Sequence, residues 1–313
     1  MKKIAFLFPG QGSQTVGMGL DLYQEFDFVR EIFEMTDEIS SANISRLCFK
    51  GPLEDLTQTV NLQPALTAVN LACLAAIENE GLAPNVSAGH SLGEYSALCA
   101  AGITSREDTI RLVIERGKLM HREATRQRGV MHAVMGLSME TVQQLVSSVQ
   151  AEGPVSVANH NTELQVVITG APGPVEKVSA LAKEQGAKSI PLRVSGAWHS
   201  ELMKGAEEEF REFINTIQFR SPTSAVVHNV SADTATQPEE IKTIMGKQLC
   251  SPVRWYDSMR RLEADGVTVF AEIGPGRVLT GLLKKILPPD FPGQILNVND
   301  LKAFEAFLKA VAG

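Results

Sequence analysis

The sequence predicts an α/β protein: a large domain around a buried sheet, with a small ferredoxin-like unit inserted into it. Two stretches carry this reading. In Asn85 to Glu94 a short apolar run ends in Gly89-His90-Ser91-Leu92-Gly93, and good helix formers follow as far as Ala101. A strand, a sharp turn and a helix around a G-x-S-x-G pattern set a serine on a strained corner, with the first helical amides aimed at any oxyanion beside it. Further on, residues 129–194 follow the order strand, helix, strand, strand, helix, strand, the split β-α-β-β-α-β unit. The flanking segments then form one discontinuous domain, 1–127 and 198–313, around an insert of 128–197.

Composition bounds the function. A chain of 313 residues, 44% hydrophobic and 21% charged, is ordinary for a globular protein with a sizeable core. A net charge of -7 argues against general nucleic-acid binding and leaves room for a local basic patch. Met1-Lys2-Lys3 precedes the apolar Ile4 to Phe8, but Pro9-Gly10 ends that run too early for a secretion signal. It reads as a first strand. No stretch reads as long enough to span a bilayer, so a cytoplasmic protein without a membrane partner is expected. Cys48, Cys73, Cys99 and Cys250 are scattered with no C-x-x-C, so neither a metal site nor a redox pair is indicated.

The elements follow in order. After the strand at 4–8 comes the loop Phe8-Pro9-Gly10-Gln11-Gly12-Ser13-Gln14, placed where open α/β sheets hold ligands. It lacks the G-x-G-x-x-G spacing of a dinucleotide site. Leu20 to Ile39 is helical, a loop leads to Pro52, and Gln63-Pro64-Ala65 opens a long apolar helix, Leu66 to Glu80. Ser105-Arg106-Glu107-Asp108 is an N-cap with an acidic first turn for a helix through about Ala124. Its Arg111, Arg116, Lys118, Arg122 and Arg126 form a largely solvated basic face, from which one arginine can be a ligand. Within the insert, strands are expected at 130–136, 155–160, 164–168 and 189–194, with helices at 138–149 and 174–185. Val194 to Ser200 returns to the large domain, followed by a helix at 202–217, a strand at 225–230 and a helix at 238–249. A proline break at Pro252, a strand at 267–273, a helix at 278–286, a short strand at 295–298 and a closing helix complete the chain.

A serine hydroxyl needs a base to take its proton. Of six histidines, His90 is locked into the elbow and His121 sits among charged helix neighbours. His132, His160 and His228 fall on expected strands, where a hydrogen-bonded structural role is the default. His199, in a small-residue loop at the domain junction, is the candidate base. No acid between Ser91 and His199 stands out to complete a triad, so a dyad oriented by a backbone or amide carbonyl is the expectation. That leaves the reaction open between a hydrolase and an acyl transferase. Arg116 can grip a substrate carboxylate in bidentate fashion, which a plain esterase does not need.

These residues resemble the malonyl-CoA:acyl carrier protein transacylases. The likeness runs through Phe8 to Gln14, Gly89 to Leu98, Arg116 to Met120, Val194 to Ser200, Gln248-Leu249 with Pro252 to Trp255, and Glu272 to Gly276. It covers nearly the whole chain in motif order. The resemblance implies an α/β-hydrolase-like large domain with the ferredoxin-like insert, and a ping-pong transfer for fatty acid biosynthesis. Ser91, activated by His199, takes the malonyl group from malonyl-CoA and passes it to the phosphopantetheine thiol of acyl carrier protein. It further implies that the amides of Gln11 and Leu92 form the oxyanion hole, that Arg116 pairs with the malonyl carboxylate, and that the Gln248 main-chain carbonyl orients His199. No cofactor and no metal are implied, and a monomer is expected.

One departure stands out. Many fatty-acid members have Ala-Pro-Phe-His where this chain has Gly196-Ala197-Trp198-His199, so Trp198 is expected at the acyl pocket, packing and shaping it. It keeps a free-standing acyltransferase of a polyketide synthase as an alternative. Acyl carrier proteins are acidic, and Lys188, Arg193, Lys284 and Lys285 are the candidate docking residues. A serine hydrolase of small esters, and a carrier-binding module with a dead site, are the rivals from other classes.

Overall fold

Strand β1, Ile4–Phe8, alternates its side chains between two buried faces and sits at the centre of the larger sheet. The computed structural model describes residues 2–312, so Met1 and Gly313, the expected ends of the large domain, lie outside it. The remaining strands are β2 (Val86–Gly89), β3 (Val130–Met135), β4 (Val155–Thr162), β5 (Gln165–Gly170), β6 (Lys188–Pro191), β7 (Ala225–Val227), β8 (Val269–Ile273) and β9 (Gln294–Val298). Five of them form a wholly parallel sheet in the order β7-β2-β1-β8-β9. A parallel sheet must be covered on both faces. Phe6, Phe8, Ala271 and Ile273 face the larger core, with the helices Thr59–Asn79 and Leu301–Ala312. Ala5, Leu7, Val86 and Phe270 face the second core, under Trp255–Ala264 and Val278–Ile286.

The other four strands form an antiparallel sheet in the order β4-β5-β3-β6, the arrangement expected of a ferredoxin-like unit. Val134, Val166 and Ile168 pack under the helices Met139–Val149 and Pro172–Glu184. Met131, Ala133 and Val167 point the other way and join the main core, so this sheet is also buried on two sides. Backbone bonds tie the sheets' surroundings together: His160 N donates to Val253 O (2.9 Å) and Val253 N to Ala158 O (2.8 Å).

Several boundaries differ from expectation for local reasons. The helix expected over Leu20 to Ile39 breaks at Phe26, whose backbone is extended, into Leu20–Glu25 and Asp27–Ser40. The loop expected before Pro52 contains a helix, Ile44–Lys50, capped by the Asn43 side chain on Arg46 N. The apolar helix starts at Thr59, leaving Pro64 inside it, and it is buried on all sides. Proline at the sixth helical position frees only the Val60 carbonyl from its partner, a cost that burial of so many apolar side chains exceeds. This helix also overturns the expectation about span length: its 21 residues hold an 18-residue window of mean hydropathy 1.5, long and apolar enough to cross a membrane, yet 89% of that window is buried inside the protein. The strand expected over 225–230 stops at Val227, because the next two side chains turn into a buried polar network.

Two glycines hold the serine corner against β1. A Cβ on Gly93 would lie 1.9 Å from the Phe8 carbonyl oxygen, and one on Gly89 would lie 2.0 Å from the Gly93 carbonyl carbon. No side-chain adjustment relieves a clash with backbone. Gly93→Ala is therefore expected to cost more than about 4 kcal/mol, beyond the usual range of single substitutions. A thermal melt tests it, and a midpoint within about 3 °C of the parent would remove the packing argument.

Candidate active site

The site is built where β2 ends. Ser91 adopts a left-handed backbone, φ +51°, which a non-glycine residue holds only when its surroundings enforce it. Asn229, just past β7, does much of this. Its Oδ1 accepts from Ser91 N (2.7 Å) and its Nδ2 donates to Gly89 O (2.7 Å), so one amide grips both sides of the corner. His199 is the second left-handed residue, φ +59°, in the loop that returns from the antiparallel sheet.

These two strained corners bring their side chains together. Ser91 Oγ lies 2.7 Å from His199 Nε2. On the far side of the ring, Nδ1 faces two carbonyls, Gln248 O and Ser251 O, each at 3.0 Å. Two acceptors require a proton on Nδ1, so Nε2 carries the lone pair and receives the serine hydroxyl. The ring is 3% exposed. Burial first, then the positive charge of Arg116, lowers its pKa to about 3, so the free imidazole is neutral and able to take a proton.

Arg116 is fully buried on the inner side of the helix Arg106–Arg126, whereas Arg111, Lys118 and Arg126 on the same helix are exposed, so it does not share the solvated basic face expected of it. Its Nη2 donates to Ser91 Oγ (3.1 Å), Nη1 to Gln63 Oε1 (3.0 Å) and Nε to Gln248 Oε1 (3.3 Å). The Tyr95 ring lies 5.5 Å from the guanidinium carbon. Burial also pushes the Arg116 pKa below its ordinary value. Among the described residues it forms no salt bridge, whereas buried charges are normally paired. Three of the five guanidinium N–H groups are engaged, which leaves two for an anion.

The loop after β1 closes the other side. A Cβ on Gly10 would lie 2.4 Å from His90 O and 3.6 Å from Leu92 N, so the loop lies directly on the elbow. Gln11 lines a cleft of about 700 Å³ with Thr59, Leu62, His121, Arg193 and Ser195. This cleft opens beside the serine and does not contain it; it is an approach to the site. The amides of Gln11 and Leu92 donate to no protein acceptor among the described residues.

Ser91, His199, Arg116 and Gln248 thus converge, with Gln11 and Leu92 alongside. Trp198 is packed in the core, 4% exposed and against Gly196, and does not line the cleft. The four basic candidates are exposed and dispersed. Arg193 is on the cleft rim, Lys188 pairs across from Met135, and Lys285 lies in a hollow with Met135 and Gln165. Lys284 lines a separate groove with Arg277 and Lys302. Sequence reasoning missed Asn229, Gln63 and Ser251, and the buried carboxylate of Glu94 that bonds Asn229 and Gln248. A polar residue directly after an apolar strand was the available signal for Asn229, and a glutamine at the head of an apolar helix the signal for Gln63.

Comparison with known proteins follows the same outline. Residues 5–292 match the acyl transferase domain family. The chain is 46% identical over 288 residues, 91% of each chain, to the malonyl CoA-acyl carrier protein transacylase of Bacillus subtilis strain 168. It is 43% identical over 309 residues, 98% of each, to that of Haemophilus influenzae. A solved malonyl-transacylase in complex with its type II PKS acyl-carrier protein superposes with a TM-score of 0.94 at 37% identity, over 98% of this chain and 99% of that one.

The depressed His199 pKa has two readouts. Its ring resonances are expected not to titrate between about pH 8 and pH 5, where an ordinary histidine has its midpoint near 6.5. In the unfolded chain His199 takes up its proton near about 6.5 and in the folded chain near 3, so its contribution to stability falls as pH drops through that window. His199→Asn is expected to show a shallower loss of melting temperature there. An NMR midpoint near 6.5 in the parent would contradict the buried, neutral base.

Proposed function

From the premise that the chain belongs to the acyl transferase domain family, we propose that it transfers the malonyl group of malonyl-CoA to the phosphopantetheine thiol of acyl carrier protein. The observation that carries the substrate class is Arg116, a buried guanidinium that has, among the described residues, two free donors and no carboxylate of its own. A malonyl carboxylate supplies the missing charge and holds the acyl group beside Ser91. A simple ester offers nothing to this arginine.

The steps balance with side chains alone. Ser91 Oγ bonds to the thioester carbonyl carbon while its proton passes to His199 Nε2. The new oxyanion sits against the amides of Gln11 and Leu92, which have no other acceptor among the described residues. The carbon–sulfur bond then breaks, coenzyme A leaves with the proton from His199, and malonyl-Ser91 remains. The carrier thiol gives its proton to the same nitrogen, attacks the ester, and Ser91 recovers the proton as it departs. In both halves the imidazolium is supported by the Gln248 and Ser251 carbonyls, which already accept from Nδ1. Before substrate arrives, Arg116 disfavours that cation. Neutralising Arg116 with the malonyl carboxylate lifts part of the penalty, so binding the correct acyl group also strengthens the base.

Fatty acid biosynthesis is the proposed setting; the likeness to a malonyl-transacylase serving a type II PKS carrier keeps the polyketide reading as the alternative. All the groups named come from one chain, and the protein is proposed to act as a cytoplasmic monomer without a cofactor. The segment 128–197 is proposed as the inserted subdomain that walls the cleft. Lys188, Arg193, Lys284 and Lys285 are proposed to receive the acidic carrier protein, and Trp198 to set pocket shape from behind.

Intact mass after brief mixing with malonyl-CoA tests the serine: one malonyl group on the parent and none on Ser91→Ala. Steady release of coenzyme A with no adduct would favour a hydrolase. Arg116→Ala is expected to lower malonyl acylation at least about a hundredfold, the scale of losing a buried charge pair, and to erase discrimination against acetyl-CoA. Retained discrimination would locate specificity elsewhere. Charge reversal at the four basic positions is expected to raise KM for carrier protein while sparing acylation by malonyl-CoA; equal damage to both half-reactions would reject the docking assignment.

A further inference from the structure

Glu94 lies one helical turn beyond Ser91 and is fully buried. Its carboxylate accepts from three donors: Oε1 from His228 Nδ1 (2.9 Å) and Asn229 N (3.2 Å), and Oε2 from Gln248 Nε2 (2.5 Å). Two of these three residues are the ones that hold the reacting pair. Asn229 holds the Ser91 amide and the Gly89 carbonyl. Gln248 holds His199 through its carbonyl and Arg116 through its side-chain oxygen, and its Nε2 also donates to Ser91 O at 3.1 Å.

We propose that Glu94 is a positioning residue for the transfer reaction, setting the nucleophile through Asn229 and the base through Gln248. The inference rests on the reading that Ser91 carries the acyl group. The physical argument is one of donors and acceptors. All three groups around the carboxylate present N–H, so only a group with acceptors on both oxygens satisfies them. A glutamine here offers one acceptor oxygen and turns an NH2 towards a donor. Either the Gln248 side or the Asn229 side must then move. Each move displaces a group that is hydrogen-bonded to Ser91 or His199, and misplacement by about 1 Å costs on the order of a hundredfold in rate.

The test uses the intact protein and single-turnover transfer from malonyl-CoA to Ser91, followed by quenched-flow mass spectrometry. Glu94→Gln is expected to slow acylation at least about thirtyfold while half-saturation by malonyl-CoA stays within about threefold, since Arg116 keeps Gln63. Glu94→Asp, which keeps the carboxylate, is expected to recover part of the rate. Acylation within twofold of the parent in folded Glu94→Gln would overturn the proposal, as would a rise in half-saturation at an unchanged rate. If Glu94→Gln does not fold, Glu94→Asp and Asn229→Ala are combined in a cycle. Losses that overlap support action through Asn229, and losses that simply multiply overturn it. A parent enzyme that takes no malonyl group would remove the serine reading, and this inference with it.

Discussion

A buried guanidinium without a carboxylate partner is the constraint around which this protein is arranged. Arg116 has to be kept ionised in a dry interior, and the chain does so with neutral acceptors: the amides of Gln63 and Gln248 and the hydroxyl of Ser91. Such acceptors soften the desolvation cost and leave the charge available to an incoming anion. The same charge helps keep His199 neutral. The charge of Arg116 and the protonation of His199 are therefore one electrostatic problem.

Neutral histidine and buried arginine demand a rigid frame, and it is made of strained backbone pinned by buried amide side chains and carbonyls. Ser91 and His199 each occupy a left-handed conformation, and each is held by atoms from distant parts of the chain. The antiparallel sheet contributes as well. Asn161, on β4, is 2.8 Å from His90 Nε2, and the next turn of chain after Ser251 is bonded to the same strand at His160 and Ala158. That sheet is thus bonded to the residue beside Ser91 and to the chain just past a carbonyl that faces His199 Nδ1.

Much of this was legible in the chain. The apolar run ending in Gly89 to Gly93, the six-element rhythm of 129–194 and the capped helix at Ser105 all correspond to observed elements, because each is decided by short-range sterics and local hydrogen bonding. The errors have equally local causes. Phe26 breaks a pattern whose periodicity continues through it, and Pro64 sits inside a helix whose burial outweighs one lost bond. Trp198 packs in the core, as one half of the expectation for it had it; a residue type does not say which side of a loop faces the cleft.

The sequence by itself singled out a serine, a histidine and an arginine that the fold brings together, and it determined the order of the elements and the family. Tertiary structure alone decided that Arg116 is buried with no salt bridge among the described residues, that His199 leans on two carbonyls, and that Glu94, Asn229 and Gln63 stand behind the site. The reason is distance along the chain. Strand, turn and helix preferences act over a few residues, whereas Arg116 meets Ser91 across 25 residues, Asn229 meets it across 138, and Gln248 reaches its carbonyl across 157. Partners that far apart are chosen only when the two sheets and their helices close around them.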